Sequence, residues 1–599
     1  MKYTKKDMVF AFLKGSKRYY ILGTLAALIS IVLDMVIPQI VKATVDSVLG
    51  TEPFSLPGFA LKLIELVGGR EVLRKNLLLI ALAAASVALV NAWFKYINRL
   101  YNSKGAEIMS ETMRNILYSH IERLPFSWHM STQTGDIIQR CTSDVNTVKT
   151  FLSDYLVSIV RMILLMGITL FFMYPMNKKL TAVAFCSIPI ILGYSIFFRT
   201  KIENQFKQCD ENEGVLSTIA QENLTSVRVV RAFGRERDEK DKFERQNNIY
   251  TDDWLKLCKY LSAFWGIGDL VSGLQVMIIV TFGSVLCVKG EISTGEFLAF
   301  ISYNSMLMWP TRQLSRVVTE MSKATVALNR IFWIMETPEE SDIESAENAD
   351  MTGDICFENV SFSYDGGVDV LKNVSFEIKS GSVFGILGGT GSGKSTLMHL
   401  LNRLYDLGEG QGGITIGGRD VREIDMACVR RNIGMVLQEP YLFSKTIAEN
   451  IAISKDDLTL DEIRKASEVA CLDDTVMGFS KGYDTVVGER GVTLSGGQKQ
   501  RAAIARVIVA KTPILVFDDS LSAVDTETDA KIQRALKEKF KDATVILISH
   551  RITTLMQADR ILVLDKGRAA DIGTHAELMS RDGLYKKVCD MQTAGMEVR

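Results

Sequence analysis

The stretch "GILGGTGSGKSTLMHLL" sets Gly388, Gly393, Lys394 and Ser395 at the spacing of a phosphate-binding loop. The residues before it, "SVFGIL", read as an apolar strand and those after it as a helix. The glycines therefore fall where the chain must turn tightly and where a Cβ would obstruct a ligand. Gly388, Gly389, Thr390, Gly391, Ser392, Gly393 and Thr396 form the expected cradle, with backbone N–H groups facing phosphate oxygens. Lys394 is expected to reach the β- and γ-phosphates and Ser395 to offer Mg²⁺ a hard oxygen.

A second constellation supplies acids. "ILVFDDSLSAVD" runs four apolar residues, Ile514 to Phe517, into Asp518, the pattern of a buried strand with a carboxylate at its tip. In a phosphate-hydrolysing site of this layout the next residue is expected to be Glu, long enough to hold an attacking water. Here it is Asp519. A third feature lies upstream: "LSGGQ" places Ser495, Gly496, Gly497 and Gln498 at the start of a helix, a second anion cradle.

These groups need a framework, and 599 residues are too many for one core. The net charge of −1 gives no global field toward nucleic acid. The nine cysteines show no C-x-x-C pair, which argues against structural zinc or a disulfide framework. Up to about residue 320 the chain has long apolar runs, and beyond it come short strand-like runs and abundant charge. Two segments, Asn76–Phe94 and Leu180–Phe198, cross a ~30 Å hydrocarbon core without a charge. Tyr20–Val41, Tyr155–Tyr174 and Tyr260–Val288 do so with one charge each, Asp34, Arg161 and Asp269. A sixth span is expected near Ser293–Gln313.

Six spans put both termini on one side, expected to be the cytoplasm because phosphate chemistry of this kind uses cytoplasmic ATP. The inner connections, about 95–154 and 199–259, read as helices running on from the membrane, with reversals expected near "FSWHMSTQTGD" and "DENEGVLSTIAQENLTSV". Asp34, Arg161 and Asp269 either line a polar cavity, with Asn91 and Asn304 as neutral partners, or pair with one another structurally or snorkel. Residues 323–353 are expected to be a linker, its end rich in acids, between a transmembrane domain at 1–322 and a nucleotide-binding domain at 354–599.

With these motifs in order, the chain resembles an ATP-binding-cassette exporter half-transporter. The resemblance implies an all-α six-helix transmembrane domain fused to an α/β P-loop nucleotide-binding domain, with ATP and Mg²⁺. Tyr364 in "FSYDGG" matches the aromatic that stacks on adenine. Gln438 in "VLQEPYLFSKTIAENI" matches the glutamine that senses Mg²⁺ and the γ-phosphate, so Ser395, Gln438 and Asp518 form the implied metal set. "TVVGERG" resembles an exporter segment, Ser522 to Asp525 the loop between paired sites, and His550 in "ILISHR" the switch histidine. "TGDIIQRCTSDV" and "ENLTSVRVVRAFGRE" resemble the intracellular segments that flank coupling helices.

In this family two nucleotide domains pair head to tail, each ATP lying between one chain's P-loop and the other's signature turn. The family's Glu orients the water, and Asp519 is one methylene shorter. Asp519, Gln438 and His550 are thus the implied catalytic set, with turnover impaired at this chain's own site. The resemblance is to the degenerate-site subunit of a bacterial heterodimeric multidrug-type exporter, whose partner carries the Glu. The implied function is ATP-driven export of a hydrophobic or amphipathic substrate (drug-like compound, lipid or peptide) across the cytoplasmic membrane by alternating access. Trp93, Phe94, Trp265, Phe300, Tyr303 and Trp309 are aromatics that line a hydrophobic route or face lipid. A homodimer using Asp519 as base, and an ATP-gated regulator that moves no cargo, are the alternatives.

Overall fold

The computed structural model describes residues 5–55, 57–341, 348–455, 457–520 and 525–597. The chain divides into two compact units, one of residues 1–124 and 132–338, the other of 125–131 and 339–599.

The first unit is helical. Five helices among the described residues are long and apolar enough to cross a membrane, beginning at Lys17, Leu77, Thr134, Lys178 and Glu236. The sixth expected span falls in the helix Thr294–Glu336, which is not among those five. Ser293 and Glu296 form a capping box at its start, and it runs unbroken through 323–336, where a linker was expected. Leu77–Ile121, Lys178–Thr225 and Glu236–Val288 contain 45, 48 and 53 residues. At 1.5 Å per residue they span about 68, 72 and 80 Å, more than twice a hydrocarbon core.

The first expected reversal is where the sequence put it, as short helices at Phe126–Ser131 and Thr134–Gln139. The second is displaced. Residues 210–225 of the polar stretch are helix, and the chain turns only at 226–235, through the six-residue helix Val227–Ala232 and Gly234 at φ +61°.

Polar groups inside the helical unit are largely paired. Asp34 accepts from Asn91 Nδ2 at 2.6 Å and from Lys95 Nζ at 2.9 Å, and Ser30 donates to Asn91 Oδ1 at 2.7 Å. Gln275 donates to Asn304 at 2.6 Å. Arg161 and Asp269 lie at exposed positions. Of the named aromatics, Phe300 and Tyr303 are fully buried, Trp93 and Trp265 are exposed and Phe94 is half-buried. The Trp309 side chain lies outside the described residues.

The second unit holds two sheets. Strands β1 (Ile355–Phe362), β2 (Leu371–Ile378), β4 (Gly413–Ile416) and β5 (Arg419–Asp420) form an antiparallel sheet in the order β2-β1-β4-β5. Strands β3 (Val383–Gly388), β6 (Ile433–Val436), β7 (Ile514–Asp518), β8 (Thr544–Ile548), β9 (Arg560–Asp565) and β10 (Arg568–Gly573) form the second. Its order is β10-β9-β3-β8-β7-β6, parallel except for β10. Every residue of β7 and β8 is buried, as a parallel strand covered on both faces requires. Leu515 and Phe517 enter one core and Ile514 and Val516 the other, the period-two alternation of a pleated strand. The acidic stretch after the last long helix is anchored at Glu340, whose carboxylate takes two bonds from Arg430, at 2.7 and 2.8 Å.

Candidate functional site

Register brings the chemistry to one edge. Ile548 of β8 pairs with Ile386 of β3 on one side and with Asp518 of β7 on the other. The carboxyl ends of the three strands therefore coincide, and the loops that leave them start side by side. This is the crevice in which open α/β sheets bind ligands.

From β3 the chain enters the glycine-rich turn and then the helix Lys394–Leu401. Gly388 has no room for a side chain, since a Cβ there would lie 2.5 Å from Ser392 Oγ and 2.6 Å from the Leu564 carbonyl oxygen. Gly393 caps the helix at φ +100°, and its Cβ would meet Leu371 at 2.6 Å. Gly389, Thr390 and Gly391 form the exposed rim of the turn, and Ser392, Gly393 and Lys394 are buried beneath it. Lys394 Nζ donates to the carbonyls of Gly388 and Gly389, both at 2.8 Å, so the ammonium is held inside the loop it is expected to serve. Burial pushes its pKa down, and the charges of Asp518 and Asp519 oppose that shift.

At the tip of β7, Asp518 Oδ2 accepts from Ser395 Oγ at 2.8 Å. Burial raises the Asp518 pKa, and Asp519 raises it further, against the Ser395 bond and Lys394. Asp519 stands in the left-handed region at φ +45°, its N–H donating to the Ile548 carbonyl at 2.9 Å. A short acid tolerates that backbone better than most residues, and such conformations concentrate at functional sites. Asp519 is thus beside Asp518 and Lys394, half-buried.

Ser395 and Asp518 give two hard oxygen ligands. No group of three or more His, Cys, Asp or Glu among the described residues is arranged to hold a metal. The pair fits a small hard cation that takes one or two protein oxygens and completes its shell with phosphate and water, as Mg²⁺ does.

The other predicted residues lie as follows. The Tyr364 hydroxyl is 3.0 Å from Thr396 Oγ1, which ties the aromatic to the first turn of the P-loop helix. Gln438 is exposed, two residues beyond β6, the strand beside β7. "TVVGERG" pairs with the segment after Gln438: Val487 N–H donates to Lys445 O at 2.9 Å and Ile447 N–H to Thr485 O at 3.0 Å. Ser495 caps the helix Gly496–Ala510 in a capping box with Gln498, and Gly496 has open space on its Cβ side. His550 is exposed in the loop leaving β8. Asp525 caps the helix Thr526–Lys539, and Ser522–Val524 lie outside the described residues.

Sequence reasoning missed two features. Tyr405 sets its ring edge against Tyr364, with centroids 5.1 Å apart, and also meets Phe126 and Phe362, so the Tyr364 ring is buttressed by a cluster. Only the density of aromatics near the motif hinted at this. Gln592, near the end of the chain, donates from Nε2 to the His550 carbonyl at 2.7 Å and accepts at Oε1 from the Ile552 N–H at 2.9 Å. No sequence signal marks it.

Residues 20–311 match the family model described as ABC transporter transmembrane region, and residues 371–522 match the one described as ABC transporter. The chain is 37% identical over 80% of its length to the uncharacterized ABC transporter ATP-binding protein YknU of Bacillus subtilis, covering 82% of that protein. It is 32% identical to an ATP-dependent lipid A-core flippase of Syntrophus aciditrophicus, over 86% of this chain and 85% of the relative. Among solved structures it is similar to a bacterial Atm1-family ABC exporter with ATP bound, at TM-score 0.81 and 26% identity, covering 97% of this chain and 99% of the other.

Proposed function

Because this chain belongs to the ABC transporter family, as a half-transporter with one membrane region and one ATP-binding cassette, we propose that it is the slow-site half of an asymmetric exporter. It is a multi-pass membrane protein and an ATPase of the translocase type that drives export across a membrane, and ABC exporters work as dimers. The finer reading rests on one observation. Asp519, at φ +45° beside Asp518, ends one methylene short of where a glutamate carboxylate would hold water.

Lys394 exchanges the carbonyls of Gly388 and Gly389 for the β- and γ-phosphates, and the N–H groups of Gly389, Thr390, Gly391, Ser392 and Gly393 orient the same oxygens. Tyr364 stacks on adenine. Ser395, Asp518 and Gln438 would hold Mg²⁺, which when bound neutralises charge building on the phosphoryl oxygens. Catalysis of phosphoryl transfer is mostly positioning and charge stabilisation, so reach matters. Asp519 accepts the water proton from a position displaced by about 1.5 Å, a shift that costs roughly a hundredfold. His550 faces the γ-phosphate from the neighbouring loop. Ser495, Gly496, Gly497 and Gln498 complete the site of a partner chain that carries the missing Glu.

Closure of the two cassettes is carried to the helices by the segments at 125–139 and 226–235, and the cavity between the halves then opens outward. The cassette and both termini lie in the cytoplasm. The cargo is a hydrophobic or amphipathic molecule, the class that suits a helical route with buried Phe300 and Tyr303.

ATP turnover of the chain reconstituted alone, beside Asp519→Asn, tests this reading. Negligible turnover in both, with ATP still bound, supports it. Brisk turnover that the Asn variant abolishes would instead establish a homodimer with Asp519 as its base.

A further inference from the structure

At the loop end of the helical unit, where helix Lys17–Ala43 finishes and helix Leu77–Ile121 begins, lies a cavity of about 810 Å³. Its walls come from these two helices, from Phe172 and Pro175, and from the short helices at 58–75. The lining is mostly aliphatic, and Ala43, Ala60 and Ala83 leave the room. The cavity is open on one side, so its aliphatic walls are left without contacts there unless a ligand or lipid covers them. Its volume and apolar lining with few polar groups are those of small-molecule sites.

Two features define the occupant. The polar end of the cavity is an ion pair, Lys42 Nζ to Glu296 Oε1 at 2.9 Å, with Gln39 beside it donating to Tyr303 at 2.8 Å. Lys42 and Glu296 already neutralise each other, so a charged head would have to break the pair, whereas an uncharged hydroxylated head hydrogen-bonds to it intact. Second, a smaller apolar cavity of about 300 Å³ shares Ile40, Thr44 and Ile80 with the first and continues between the two helices. An aliphatic chain has a path there from the bilayer.

We infer that this cavity binds an uncharged, single-chain amphiphile from the membrane, its tail along Ile40 and Ile80 and its head on the Lys42–Glu296 pair. Every residue that lines the site belongs to one chain. Helix Thr294–Glu336 is fastened here a second time, to the turn Thr44–Leu49 that follows helix Lys17–Ala43, since Asp46 accepts from Gly295 N–H at 2.7 Å and from Ser293 Oγ. An occupant therefore braces the joint between two helices that alternating access must move.

The test uses the full chain in nanodiscs and a monoacylglycerol carrying a photoreactive diazirine in its tail, with the matching fatty acid as anionic probe. Adducts are mapped by peptide mass spectrometry, and ATP-analogue binding reports folding. Adducts from the neutral probe are expected on residues 36–44 and 79–84. Ala83→Trp, which fills the cavity, is expected to remove them. Glu296→Gln keeps the helix cap but leaves Lys42 uncompensated, and is expected to shift labelling toward the anionic probe. Adducts scattered over lipid-facing residues, or a probe preference unchanged in Glu296→Gln, would overturn the inference. Should Ala83→Trp fail to bind nucleotide, the Glu296→Gln comparison decides. The readout is binding alone, so it stands apart from whether Asp519 is slow.

Discussion

Ser395 and Asp518, 123 positions apart in sequence, meet through a 2.8 Å hydrogen bond that joins the P-loop helix to the tip of β7. The bond holds a carboxylate in a place that costs it solvation. Burial is the largest influence on Asp518 and raises its pKa above the ordinary 3.8. The folded state therefore binds more protons than the unfolded one between those two values. Stability falls as pH rises through that window, and at neutral pH the ionised group is a net cost.

Asp518→Asn is accordingly expected to raise the unfolding midpoint of the nucleotide-free cassette at neutral pH, with the gain shrinking as pH falls toward the ordinary carboxylate range. The same variant should lose the Mg²⁺-dependent part of ATP affinity. Thermal unfolding followed at several pH values, beside nucleotide titration with and without Mg²⁺, checks both halves. A lowered midpoint at neutral pH would contradict the burial argument.

The glycines of the loop divide into two kinds. Gly393→Ala meets Leu371 in a backbone at φ +100°, and should destabilise the cassette by about 1–3 kcal/mol. Gly389→Ala points into open space and should leave the unfolding midpoint nearly unchanged while weakening nucleotide binding. Equal loss of stability in the two variants would refute the distinction.

Gln592 clamps the loop of His550 from the helix Leu584–Glu597. Gln592→Ala removes two hydrogen bonds and should cost about 1 kcal/mol each locally. Hydrogen exchange should accelerate at the Ile552 amide while the β8 amides remain protected. Unchanged exchange at Ile552 would show that the loop is held by other contacts.

The cassette was largely legible because its chemistry is local. A strand, a glycine turn and a helix start sit within twenty residues around Lys394, and Asp518 ends an unbroken apolar run. What escaped depends on long-range packing. Gln592 reaches its partners across 40 positions, and Phe126 meets Tyr405 from the other end of the chain. The second reversal was misplaced for a different reason. "DENEGVLSTIAQENLTSV" contains one glycine and no proline, and a lone glycine costs only about 1 kcal/mol. Pairing recovers that. Asn212 and Gln205 both bond Asp253 on the facing helix, and the chain stays helical until Ser226.

The central claim is that Asp519 falls short of its water. The direct measurement is ATP turnover of the reconstituted chain as Asp519→Glu beside the native sequence, with nucleotide affinity recorded for both. Restored reach predicts a rise of roughly a hundredfold at unchanged affinity. Turnover that stays flat or falls in Asp519→Glu, with ATP still bound, would contradict the account.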